Sequence, residues 1–169
     1  MAVPHSLPQR IFLLAYNPDK GRVGLGTYLG AMLRAAALAD LYRGGHLTDE
    51  RGRAAVRTVR QQLNDGGWVH LQPHRILGLF PTTKVTIRDP RVRKELLDRV
   101  NTALHNPIGS IDPADAALVA IIAAGDLKLV LDRKTRRASK QRIQELTKLS
   151  GPIGPALHSS IQAAAIGEV

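Results

Sequence analysis

The chain has 169 residues, 44% apolar and only 4% aromatic, with 24 Lys+Arg against 14 Asp+Glu, a formal net charge of +10 and no cysteine. That length supports one domain with a real core and no staples, and the missing thiol excludes disulfides, thiol catalysis and cysteine-ligated zinc. The positive excess points to a polyanionic partner, nucleic acid or an acidic lipid surface, while the scarcity of aromatics argues against a stacking platform for single strands.

Ser6 as N-cap and Pro8 in the first turn start a short helix that runs to Ala15. Its IFLLA run is too short for a secretory signal, so the cytosol is the expected compartment. Residues 17–26, with Asn-Pro-Asp and three glycines, read as a loop. Residues 27–42 form a helix apolar on every face, hence central and buried. Arg34 and Asp40 keep it from being a bilayer span, and Gly44 and Gly45 stop it.

Residues 49–63 place Val56, Val59 and Leu63 on the stripe of an amphipathic helix. WVHL and RILGLF, on either side of QPH, predict a β-hairpin. Asp89-Pro90 opens a helix with Val92, Leu96, Val100 and Leu104 on its inner face, and Asp112-Pro113 opens another, ALVAIIAA, closed by Gly125. Asp132 caps a long basic helix lined by Ile143, Leu146 and Leu149, and a last helix spans 155–166. The expectation is a mostly α, compact single-domain helical fold over 1–169, with central buried apolar helices and one protruding β-hairpin.

No chemical constellation stands out. The six histidines do not cluster with carboxylates at ligand spacing, no nucleophile elbow or phosphate loop is present, and Asp89, Asp112 and Asp132 are used as caps. No metal, cofactor or enzymatic activity is expected. What remains is cationic. Arg53, Arg57 and Arg60 recur at i, i+4 and i+7 on one stripe, which is either a solvated face or a set of guanidiniums placed for phosphate. Arg34, on the apolar helix, either meets Asp40 or Asp49 or reaches an edge where an anion can enter.

The order of RIFLLAYNPDKG, LRAAALADLYRGGHL, a basic helix with NDGGWV, RILGLFPTTK, DPADAALVAIIAAGDL and a late basic helix resembles the Golgi phosphoprotein 3 family, above all its bacterial, actinobacterial-type members. The likeness covers nearly the whole chain. It implies a non-enzymatic helical domain with a protruding hairpin. The eukaryotic members bind phosphatidylinositol 4-phosphate as peripheral Golgi adaptors. Their headgroup pocket uses a tryptophan before the central helix, an arginine on that helix, and arginines on the helix before the hairpin. By ungapped matching these fall on about Leu25, on Arg34, and on Arg53, Arg57 and Arg60, with the chain shortened around residues 50–53. The N-terminal arginine cluster used for coat binding is missing, so a coat partner is not implied. Residues 71–82 match the family loop that touches membrane and other subunits, which singles out Leu71, Ile76, Leu77, Leu79 and Phe80.

The expected function is therefore a peripheral protein on the inner face of a membrane. It would bind anionic lipid with a phosphoinositide-like headgroup and have an adaptor role, with the hairpin inserting into the bilayer or self-associating. The alternative is a winged-helix DNA binder, with Arg53, Arg57 and Arg60 on the recognition helix. That helix is poor in side chains that read base edges, so nucleic acid is the less expected partner.

Overall fold

The computed structural model describes residues 2–23, 29–42, 52–76 and 80–150. The expected last helix at 155–166 lies outside them. Three helices form the centre: α1 (Leu7–Ala15), α2 (Leu29–Tyr42) and α5 (Pro113–Ala124). α1 and α5 bury almost their whole length, from Leu7, Ile11, Phe12 and Leu14 to Leu118, Val119, Ile121 and Ile122, and α2 buries one side, with Met32, Leu33 and Ala36. The sequence points to α2 and α5 for this role, and α1 joins them. Gly125, just past α5, is what lets α2 come close, since a Cβ there would lie 2.2 Å from the Met32 sulfur.

Around this centre, α3 (Gly52–Asp65) packs on α1 and α2 through Val59 and Leu63. α4 (Pro90–His105) lies on α1 and α5 with Val92, Leu96, Val100 and Leu104 inward, at the expected every-fourth spacing. The basic segment after Asp132 is not one long helix but two, α6 (Arg133–Ala138) and α7 (Lys140–Leu149), broken at Ser139. The break turns α7 so that Leu146 is fully buried and α7 packs on α5.

The loop expected at 17–26 contains a short antiparallel pair, β1 (Tyr16–Asn17) with β2 (Arg22–Val23). The larger hairpin exists, but its strands differ from those expected. β3 (Val69–Ile76) runs straight through QPH and pairs with β4 (Phe80–Ile87), from Val69 opposite Ile87 to Ile76 opposite Phe80. In a two-stranded ribbon both strands are edges, so Pro73 can stay in the strand with no neighbour on its other side to lose a bond. The partner, FPTTKVTI, is rich in the β-branched residues that suit a pleat. Val69, Val85 and Ile87 anchor the base of the ribbon in the core, and further out Gln72, Pro73, Thr83 and Lys84 are exposed. The ribbon therefore leaves the body, as the sequence predicts.

Helix starts follow the Asp signals. Asp89 accepts from the Arg91 N–H (3.0 Å), Asp112 from Ala114 (2.7 Å) and Asp132 from Thr135 (2.7 Å). α1 is different: Ser6 makes no side-chain cap, and the Leu7 N–H instead donates to Asp40 Oδ2 of α2 at 2.7 Å. The carboxyls of Asp89, bonded by the Arg91 side chain and amide, and of Asp132, bonded by the Thr135 amide, are held below the usual carboxylate range. A depressed folded pKa means stability that is whole above the unfolded value of about 3.9 and is lost as pH falls through the folded values. Denaturation series between about pH 5 and pH 2 should show that loss, and Asp89→Asn with Asp132→Asn should flatten it while keeping the caps.

Candidate functional site

Much of the positive charge is committed to the fold. Arg10, on α1, is the buried cation among the described residues, 8% exposed. Its Nε donates to the Pro4 carbonyl (2.7 Å) and its Nη1 to Asp115 (3.2 Å), which also meets Arg99 (3.4 Å). Arg93 donates to the Tyr16 and Leu14 carbonyls, at 3.0 and 3.4 Å, at the end of α1. Arg142 likewise donates to Ala103 (2.9 Å) and Asn106 at the end of α4, and Arg88 holds the Val69 carbonyl (3.2 Å). A guanidinium at a helix C-terminus satisfies orphan carbonyls and complements the negative end of the dipole. Side-chain composition alone does not separate these arginines from the rest.

Arg34 belongs to the other group. It is half-buried and makes no hydrogen bond or ion pair with any described residue. It lines a recess of about 100 Å³ where the start of α1 (Ser6, Pro8), α2 (Leu33, Arg34, Ala37, Asp40) and α3 (Ala55, Thr58, Val59, Gln62) meet. That volume holds about three waters, or a group the size of a phosphate. Of the two carboxylates expected to pair with Arg34, Asp40 instead caps α1, and Asp49 lies outside the described residues. Beside the guanidinium the lining also carries the Ser6 hydroxyl and the Gln62 amide, groups that can donate to an anion entering from solvent, and the Asp40 carboxylate, whose charge the Leu7 N–H partly offsets.

The arginines of α3 do not line this recess among the described residues. On a 100° helical wheel Thr58, Val59 and Gln62 lie within about 60° of Ala55, whereas Arg60 and Arg57 lie roughly 140° and 200° round. Of the described cations expected to meet at one recess, Arg34 lines it and Arg57 and Arg60 do not, because the core stripe of α3 separates its two flanks. Arg57 is exposed, and Arg60 is half-buried with an Nε that is shielded and has no hydrogen-bond partner. Burial first, and then the charge of Arg57, lower the pKa of Arg60. The Arg53 side chain lies outside the described residues, as do Leu77 and Leu79 and the side chains of Ile76 and Phe80. Leu71 is half-buried and packs against the core at the ribbon's base.

A larger groove of about 1040 Å³ runs between α5, α6 and α7, with Ala120, Ala123, Ala124 and Ile143 on its floor and Arg133, Arg136, Arg137 and Lys140 on its rim. Thr147 and Lys148 also line it. Among the described residues no group of three or more His, Asp or Glu is placed to hold a metal, and no helix is long and apolar enough to cross a membrane.

The described residues thus form a helical body with an outlying ribbon and a half-buried guanidinium, Arg34, beside a small recess. The family model for Golgi phosphoprotein 3 (GPP34) matches the chain in two overlapping pieces, residues 7–61 and 49–164. The chain belongs to that family, and membership fits a lipid-binding role. No curated protein matches it.

Proposed function

We propose that this protein docks peripherally on an anionic lipid surface, with Arg34 receiving a headgroup phosphate at the recess between α1, α2 and α3. The observation that carries this reading is Arg34 itself: a half-buried guanidinium on a central helix, without a partner among the described residues. Leaving such a cation unpaired lowers stability, and a protein keeps it where an anion arrives to pair with it. Arg57 and Arg60, with Arg53 on the same stripe, supply a second cationic patch on the far flank of α3 that meets further phosphates of the same surface. The apolar residues of the hairpin, Leu71, Ile76, Leu77, Leu79 and Phe80, add an inserting or self-associating element, and an adaptor role toward a protein cargo follows the family. A phosphoinositide is the headgroup that the family favours, although Leu25 stands where it carries tryptophan.

Co-sedimentation with vesicles tests this. The protein is expected to bind phosphatidylcholine vesicles doped with phosphatidylserine or a phosphoinositide and to leave pure phosphatidylcholine in solution. Arg34→Ala should weaken binding about fivefold, the contribution of one basic residue near an acidic bilayer. Tighter binding to duplex DNA than to acidic vesicles at about 0.15 M salt would instead favour the winged-helix alternative.

A further inference from the structure

α2 is buried along Leu29, Ala31, Met32, Leu33, Ala35, Ala36 and Ala39, is half-buried at Ala37 and Asp40, and is most open to solvent on one stripe. That stripe carries Arg34, Leu38 and Leu41. At 100° per residue the three fall within about 60° of one another, and Leu41 lies roughly 10 Å along the axis from Arg34. Leu38 is 45% and Leu41 43% exposed, and they are two of the four large apolar side chains that stand exposed among the described residues. The other two, Ile108 and Leu129, sit singly on separate turns. A lone exposed leucine carries no message, but two aligned with a partnerless cation on an otherwise central helix form a pattern.

We infer that this stripe is the apolar membrane contact of the docked protein: Arg34 at the level of the phosphates, with Leu38 and Leu41 dipping one and two turns further into the acyl boundary of an anionic bilayer. The inference rests on the docking reading above and deepens it by naming which face meets the lipid. Charge complementarity favours this occupant, since the stripe carries Arg34, the neighbouring Asp40 lies off it and is bonded by the Leu7 N–H, and the chain carries +10 overall. Area argues against a second copy of the chain. The exposed halves of two leucines offer on the order of 150 Å², far below the ~800 Å² per partner that a stable protein interface buries. A bilayer asks for no such area, because a few inserted apolar side chains combine with phosphate contacts.

The test uses the full chain and phosphatidylcholine vesicles doped with phosphatidylserine. Leu38→Ser with Leu41→Ser should weaken binding at least about tenfold, and the remainder should vanish at about 1 M salt, where wild type keeps a salt-resistant fraction. Because each leucine is only partly buried, the melting temperature should fall by a few degrees while the protein stays folded at the assay temperature. The chain has no cysteine, so Leu41→Cys carrying a polarity-sensitive fluorophore reports insertion directly, as a blue shift on adding vesicles. Wild-type binding by the serine variant, with no shift from the labelled one, overturns the stripe while Arg34→Ala still tests docking itself. A dimer that the serine substitutions dissolve reassigns the stripe to a second copy. Failure of the wild-type protein to bind acidic vesicles removes both the inference and the reading beneath it.

Discussion

Asp115→Asn is expected to lower the free energy of unfolding by about 1–2 kcal/mol, read as a shift of the urea midpoint with an unchanged slope. Asp115 stands between two cations, Arg10 and Arg99, and the Arg10–Asp115 side chains are only 10% and 14% exposed. Burial pushes the Asp115 carboxyl above the usual range, against the pull of Arg99 and Arg10, and burial also lowers the pKa of Arg10. Desolvation therefore outweighs attraction on both sides of the pair. A carboxyl with a raised folded pKa contributes stability below its unfolded value and loses it as pH rises through the folded one. At neutral pH the charged pair is thus not a net source of stability, and the loss on Asp115→Asn comes from bonding: the carboxylate accepts from Arg10 and Arg99 on separate oxygens, whereas the amide has one oxygen, so a guanidinium N–H is left buried without its acceptor. Arg10→Met in the Asp115→Asn background should recover at least half of the loss, the rest reflecting the Pro4 carbonyl left without its donor. No recovery would mean that Asp115 acts chiefly through Arg99.

Arg60→Met is expected to act in opposite directions on stability and on docking. Methionine keeps the stem that packs along α3 while removing a shielded Nε without a partner and a charge that Arg57 repels. The gain should be about 1 kcal/mol, since the guanidinium is only half-buried, and the melting temperature should rise by roughly 2–4 °C. Binding to acidic vesicles should fall about fivefold. A site retained for function at a cost in stability gives that pair of signs. Lower stability with unchanged binding would make Arg60 a structural cation and leave Arg34 as the phosphate contact.

The sequence by itself determined the elements whose signals are local. Asp89-Pro90 and Asp112-Pro113 specify helix starts because the carboxylate reaches an amide two residues on, and Val92, Leu96, Val100 and Leu104 specify which face of α4 is buried. Such information lies within one or two helical turns, so no distant residue is needed to read it. An outlying hairpin was likewise legible, but its register was not: QPH looks like a turn by composition and becomes strand only because PTTKVTI arrives to pair with it.

Only the tertiary structure decided what each arginine does. Arg34 and Arg10 both sit in apolar helices, and sequence alone made Arg34 the one that raised the question of a buried pair. Asp115, an acid in the first turn of an otherwise apolar helix, was the available hint that the partner lay elsewhere. Arg10 meets Asp115 across 105 residues, and Leu7 takes Asp40 as its cap across 33, which leaves Arg34 facing an open recess. Whether a cation is paired or available is a property of which helices touch and at what angle. Packing fixes that angle over the whole core, and no short window of sequence contains it.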